Sequence, residues 1–163
     1  MISFVHAVPD FLSGKLTPRE FLERCIERIE ARESEVHAFV VTNLAAARAA
    51  ADAATARYRA GKPLSSVDGC PVGIKDIMDT VDFPTQMGSP AFKDWQPKFD
   101  AACVQSLRRG GAIIVGKTVT TAFACGATNV TRNPHDIERT PGGSSSGSDR
   151  KSTRLNSSHI PLS

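Results

Sequence analysis

The sequence predicts an α/β fold, on three observations. Up to Gly61 the chain carries helical periodicity interrupted by one short β-branched stretch, His37-Ala38-Phe39-Val40-Val41. Beyond Asp68 its texture changes to short apolar runs separated by loops. Within that region Ala112-Ile113-Ile114-Val115 is a continuous apolar run placed directly after a helical segment. Such a strand implies a sheet covered on both faces, which is how α/β sheets read. At 163 residues, 40% of them hydrophobic, the chain is sized for one domain with a core of its own.

The elements follow in order. Phe4, Val5, Val8, Phe11 and Leu12 recur at helical spacing, and Ser13-Gly14-Lys15 closes that first helix. Thr17-Pro18-Arg19-Glu20 then supplies an N-cap threonine, a proline at the first helical position and a glutamate able to complete a capping box, so a helix is expected to about Arg32. Its apolar stripe is Phe21, Leu22, Cys25, Ile26 and Ile29, and its charged face is read as solvated. After the His37 to Val41 strand, Thr42 or Asn43 caps an alanine-rich helix that ends near Arg59 and stops at Gly61. Gly69 to Ile77 reads as a short strand, and Val81 to Phe99, with three prolines, as a long ordered loop able to wall a pocket with apolar and aromatic side chains. Asp100 is expected to cap a helix through Arg109, stopped by Gly110-Gly111 and followed by the Ala112 to Val115 strand. Thr118 to Gly126 is expected to form a short helix, and Asn129 to Arg139 a polar loop with His135 as a loop residue.

Composition excludes several classes. Of the formal charge of +3, Asp149, Arg150, Lys151 and Arg154 supply +2, which leaves +1 for residues 1–148 and removes any basic-patch argument for nucleic acid. Cys25, Cys70, Cys103 and Cys125 form no C-x-x-C pair, so neither a metal knuckle nor a redox motif is expected and a reduced environment is favoured. No basic start with a long apolar run and no stretch of eighteen apolar residues is present, which points to a cytoplasmic protein without a membrane span.

Two features carry chemistry. Lys75 interrupts the apolar strand Val72, Ile74 and Ile77, where an ammonium group either snorkels to the surface or is tuned by burial to act as a base. The run Thr140-Pro141-Gly142-Gly143-Ser144-Ser145-Ser146-Gly147-Ser148 is either a flexible linker or a catalytic loop, since adjacent glycines let backbone approach a substrate and serine hydroxyls relay protons once a base is at hand. A third motif dissolves on inspection. Gly111 to Thr118 satisfies the letters G-x-x-x-x-G-K-T of a nucleotide-binding P-loop, but the strand here occupies the variable positions and a helix precedes Gly111, the reverse of what phosphate binding needs.

Taken in sequence, Gly73-Ile74-Lys75-Asp76, the Gly110 to Thr118 segment, Arg132-Asn133-Pro134-His135-Asp136 and the Thr140 to Ser148 run resemble the amidase signature family over residues 1–148. The resemblance implies a helical N-terminal region followed by part of a large mixed sheet sandwiched by helices. It implies hydrolysis of carboxamide C–N bonds through a serine, a cis-serine and a lysine, with no cofactor and no metal. Lys75 matches the family's lysine base and Ser144 its cis-serine, after a cis peptide from Gly143. The resemblance implies that Gly142, Gly143 and Ser145 belong to the surrounding oxyanion and substrate loop. The implied partner is a small-molecule amide, with no nucleic acid and no membrane, and a full-length protein able to form a homodimer. A second reading in the same family is the glutaminase-like component of a tRNA-dependent amidotransferase, which releases ammonia for a partner subunit.

One part of the family pattern is not met. The family's nucleophile lies in a second glycine-rich segment that ends in serine, and no such segment follows Ser148. Asp149 to His159 instead resembles, codon for codon, the translation of a common sequencing-library adapter, so residues 149–163 are expected to be a non-native disordered tail and residues 1–148 the N-terminal part of an amidase domain. A polypeptide ending there is expected to be inactive and poorly stable, with strands left unpaired.

Overall fold

A computed structural model describes residues 3–126 and 129–148. The expectations for residues 149–163 lie outside the described residues. Among those described, four α-helices and three strands follow the order α1 (Phe4–Ser13), α2 (Pro18–Val36), β1 (Phe39–Thr42), α3 (Leu44–Arg59), β2 (Pro71–Lys75), α4 (Ala102–Arg109) and β3 (Ile113–Thr118).

The helices begin and end where their capping chemistry dictates. Gly14 closes α1 in the left-handed conformation at φ 75°, donating its N–H to Phe11 O. The capping box of α2 is complete, with Thr17 accepting from Glu20 N and Glu20 returning a carboxylate to Thr17 N at 2.8 Å. This helix runs one turn past the expected Arg32, to Val36, because Val36 is buried and His37 provides a left-handed cap bonded to Glu33 O. Asn43, not Thr42, caps α3 by accepting from Ala46 N. Asp100 does not cap α4. Ala101 takes that position, while the Asp100 carboxylate accepts from Val81 N at 2.9 Å and pairs with Arg108 at 2.9 Å, tying the preceding loop to the helix.

The sheet has the order β1-β3-β2, with β1 antiparallel and β2 parallel to the central β3. One face of β3 packs Ile113 and Val115 against Leu22 and Ile26 of α2 and Ala47 and Ala51 of α3. The small alanines of α3 let the two helices lie close over the sheet, and each fully buried Leu or Ile contributes about 1.5–3 kcal/mol. The other face joins Ile114 and Ile74 to Phe83 and to Val104 of α4. An aromatic cluster of Phe11, Phe21 and Tyr58 holds α1 to α2 and α3 through edge-on contacts at 5.7 and 5.3 Å. Gly116 allows the tight approach of β1: a Cβ there would stand 2.2 Å from Val41 O.

The chain after Thr118 differs from expectation. Thr118 to Gly126 forms no α-helix but continues extended and then makes a 3-10 turn at Ala122–Ala124, with Phe123 and Ala124 at φ 50° and 59°. The reason lies in its backbone partners. Val119 donates its N–H to Ala38 O and accepts from Gly147 N, both at 2.9 Å, so this stretch is drawn into the sheet's pairing. The long loop between β2 and α4 is ordered as expected, pinned by the Gln96 amide, which donates to the carbonyls of Thr80, Val81 and Phe83. Among the described residues no helix is long and apolar enough to cross a membrane.

Glu23 clamps α2 to α3 by accepting from Arg48 at 2.8 and 3.0 Å and from Arg19 at 2.8 Å. Those guanidinium hydrogen bonds, Arg48 first, pull its carboxyl from 4.5 down to about 2. A depressed carboxyl contributes stability that is complete above its unfolded value and is lost as pH falls through the folded one. Denaturation midpoints should therefore fall between pH 4.5 and about 2 by more in the native sequence than in Glu23→Gln, compared by urea titration at each pH.

Candidate active site

The site is built where β2 and β3 end together. Their parallel register sets Ile74 opposite Lys117 and Lys75 opposite Thr118. Because successive side chains point to opposite faces, Lys75 and Thr118 share one face and Ile74 and Lys117 the other. Gly73 shares the Lys75 face, where an added Cβ would stand 2.6 Å from Thr118 Cγ2. The glycine keeps room for the threonine beside the lysine.

Onto this face the Gly/Ser run is fastened by backbone. Ser144 O accepts from Thr121 N at 3.0 Å and from Thr120 Oγ1 at 3.1 Å. Gly147 N donates to Val119 O at 2.9 Å, and the hydroxyls of Ser148 and Thr118 are 2.9 Å apart. Asn129 Nδ2 donates to Ser146 Oγ at 2.8 Å, bringing in the preceding polar loop. The Gly143–Ser144 peptide is cis. Gly142 and Gly143 are exposed, while Ser144 and Ser145 are half-buried. The run is thus an ordered part of the fold over these residues and not a free linker.

The consequence is a direct contact across 69 residues of sequence, in which Lys75 Nζ donates to Ser144 Oγ at 2.6 Å. Lys75 does not snorkel away from the sheet. It is half-buried, and burial lowers its pKa from the ordinary lysine value. A lysine so placed can exchange a proton with a serine hydroxyl, and the serine can pass one on. His135 stands on an exposed loop, its N–H donating to Asn133 Oδ1 at 2.9 Å. Lys117 is fully buried and paired with Asp76 at 3.3 Å, so the P-loop letters belong to a strand and its lysine faces protein.

Of the residues singled out in the sequence, Lys75 and Ser144 are in contact, with Gly142, Gly143 and Ser145 beside Ser144 in the same run. The sequence reading left other residues out. It missed Thr120 and Thr121, which hold the Ser144 carbonyl, because their stretch reads as helix. It also missed Asp76, although the need of a strand lysine such as Lys117 for a counter-ion was a signal for it.

Fold and site together define an α/β protein with a lysine and a serine in contact at the carboxyl end of two parallel strands. The amidase family model matches residues 20–149, and the chain belongs to that family. It is 40% identical over 142 residues to the A component of the glutamyl-tRNA(Gln) amidotransferase of Chloroflexus aggregans, a match covering 83% of this chain and 29% of that protein. Among solved structures, it is similar to a chain from a vestigial protein complex bearing on the origins of an s-triazine catabolic enzyme, with TM-score 0.84, 32% identity and coverage of 90% and 34% of the two chains. It is also similar to the peptide amidase of Stenotrophomonas maltophilia, with TM-score 0.80, 27% identity and coverage of 90% and 32%. The chain therefore spans about three-tenths of the length of the curated relatives it matches.

The fastening of the Ser144 loop turns on Gly147, where a Cβ would lie 2.2 Å from Ala38 O and 2.7 Å from Val119 N. Both are backbone atoms that cannot rotate away. Gly147→Ala should lower the unfolding free energy of the intact protein by about 1–3 kcal/mol, as overpacking does. Gly126→Ala, with nothing within 4 Å, should stay within about 0.5 kcal/mol of the native value in the same denaturation assay.

Proposed function

We propose that the protein containing this chain hydrolyses carboxamide C–N bonds, with neutral Lys75 as the base and Ser144 as the hydroxyl that relays protons to it. The 2.6 Å contact from Lys75 Nζ to Ser144 Oγ carries this reading. A serine from another segment attacks the carbonyl carbon. Its proton passes to Ser144 Oγ as the Ser144 proton passes to Lys75, and a C–O bond forms while the carbonyl oxygen takes up negative charge. When the tetrahedral intermediate collapses, the C–N bond breaks and the proton returns from Lys75 through Ser144 to the departing nitrogen. Water then releases the acyl group by the same route. In this reading the backbone N–H groups of the Gly142, Gly143 and Ser145 loop supply the donors to the oxyanion. Burial of Lys75 favours the neutral amine that this chemistry requires.

Two forms of this activity are distinguishable. The similarity to the glutaminase-like components of amidotransferases supports glutamine as the amide, with its ammonia passed to a partner subunit. The similarity to a peptide amidase supports an enzyme that acts alone. The first has the stronger sequence support, at 40% against 27% identity. The intact protein should release ammonia from L-glutamine, with a gain in rate when its partners and glutamyl-tRNA are added. Equal turnover of simple amides without partners would favour the second form.

Lys75→Ala and Ser144→Ala should each lower kcat/KM on the order of 10²–10⁴-fold, the range for loss of a proton-transfer group. In the native enzyme kcat/KM should fall as pH drops and Lys75 becomes protonated, with the midpoint below the ordinary lysine range because burial lowers that pKa. Unchanged hydrolysis by Lys75→Ala would sink the proposal.

A further inference from the structure

Asp76 and Lys117 form an ion pair at 3.3 Å with 1% and 0% of their side chains exposed. Its polar groups are fully engaged. The three donors of the Lys117 ammonium reach Asp76 Oδ1, Thr85 Oγ1 at 2.6 Å and Pro84 O at 3.1 Å. The Asp76 carboxylate also accepts from Gln86 N at 3.2 Å. Its backbone is engaged too, since Asp76 N donates to Thr118 O and Met87 N donates to Asp76 O, both at 2.9 Å. One residue thus joins the end of β2, the end of β3 and the loop at 84–87.

Stability is a weak reason for such a pair, because well-packed apolar residues of similar volume serve as well or better. Its place in the chain suggests another. Asp76 directly follows Lys75, β2 ends at Lys75, and the Asp76 contacts are what hold the chain on β3 beyond that point. Lys117 lies on the opposite face of the sheet from Lys75, so the pair fixes the Lys75 backbone without touching its amine or Ser144.

We infer that the buried Asp76–Lys117 pair is a positioning device for Lys75, locking the end of β2 against β3 at the height where the lysine meets Ser144. The pair also occupies the carboxylate adjacent to Lys75 with a different cation. This inference rests on the proposed role of Lys75 as base, and Asp76 and Lys117 act through that residue without contact with substrate.

The test measures ammonia release from L-glutamine and from propionamide by the intact protein, per titrated active site, so that misfolded fractions are divided out. Three variants are compared with Lys75→Ala: Asp76→Asn, Lys117→Met and the double variant D76N/K117M, which leaves no unpaired buried charge and so protects the fold. Loss of positioning should lower kcat about 10–100-fold with KM within threefold, since displacing a reacting group by an ångström costs that much. The double variant should stay depressed in kcat even where its melting temperature returns to the native value. A purely structural pair would give the opposite, with kcat recovering alongside stability. Should Lys75→Ala abolish turnover while the double variant keeps a native kcat, the positioning role is overturned and the proposed function stands. Should Lys75→Ala turn over normally, the proposed function falls and takes this inference with it.

Discussion

The pairing of β3 on both of its edges is the constraint from which the rest follows. Its six residues are all buried, with β1 antiparallel on one side and β2 parallel on the other. A strand in that position must satisfy its backbone entirely within the sheet, because no water reaches it. It must also present side chains that suit both layers. Ile113 and Val115 meet the helices, Ile114 meets Phe83 and Val104, and Gly116 yields its side-chain volume to the backbone of β1. Where the apolar letters run out, at Lys117 and Thr118, burial continues and polar side chains must find partners inside the protein. The chemistry of the site begins at that transition.

Alternation along two paired strands sorts those polar groups. Thr118 joins Lys75, Ser144 and Ser148 on one face, while Lys117 joins Asp76 and the 84–87 loop on the other. The Val119 to Thr121 backbone then extends the sheet's hydrogen bonding to the Gly/Ser run. A serine-rich segment that would be mobile alone is held because Ser144 O and Gly147 N bond the Thr121 and Val119 backbone. Local composition argued for flexibility, and pairing partners prevailed.

The fold class was legible in the sequence because its signals are local. The capping box at Thr17, the glycine stop at Gly14 and the apolar run before Gly116 each act over a few residues, and each is found where expected. The failures are non-local. Helix α2 outruns Arg32 because Val36 has a core to enter. Asp100 leaves the cap of α4 to bond Val81 N and Arg108 of that helix, and Thr118 to Thr121 stays extended because Ala38, Ser144 and Gly147 are there to bond it. The same division holds for the site. Lys75 stood out as a charge within apolar neighbours, whereas its choice between surface and interior was undecidable until the partner 69 residues away was in place.

A lysine can serve as a base near neutral pH only where its ammonium form is disfavoured, and two effects compete at Lys75. Burial disfavours the charge, while a carboxylate within about 4–6 Å would favour it and offset the gain. Asp76 is the next residue, and a free carboxylate there would be the natural counter-ion for Lys75. The strand's alternation sends it to the opposite face, and Lys117 meets it there with a full ion pair at 3.3 Å. Burial is accordingly the cause that acts on Lys75, and it acts downward. On the other face the same burial pushes the Asp76 carboxyl up and the Lys117 ammonium down, each opposed by its partner. The sheet thereby separates a compensated lysine from an uncompensated one by the thickness of a single strand, and only the uncompensated lysine faces a serine.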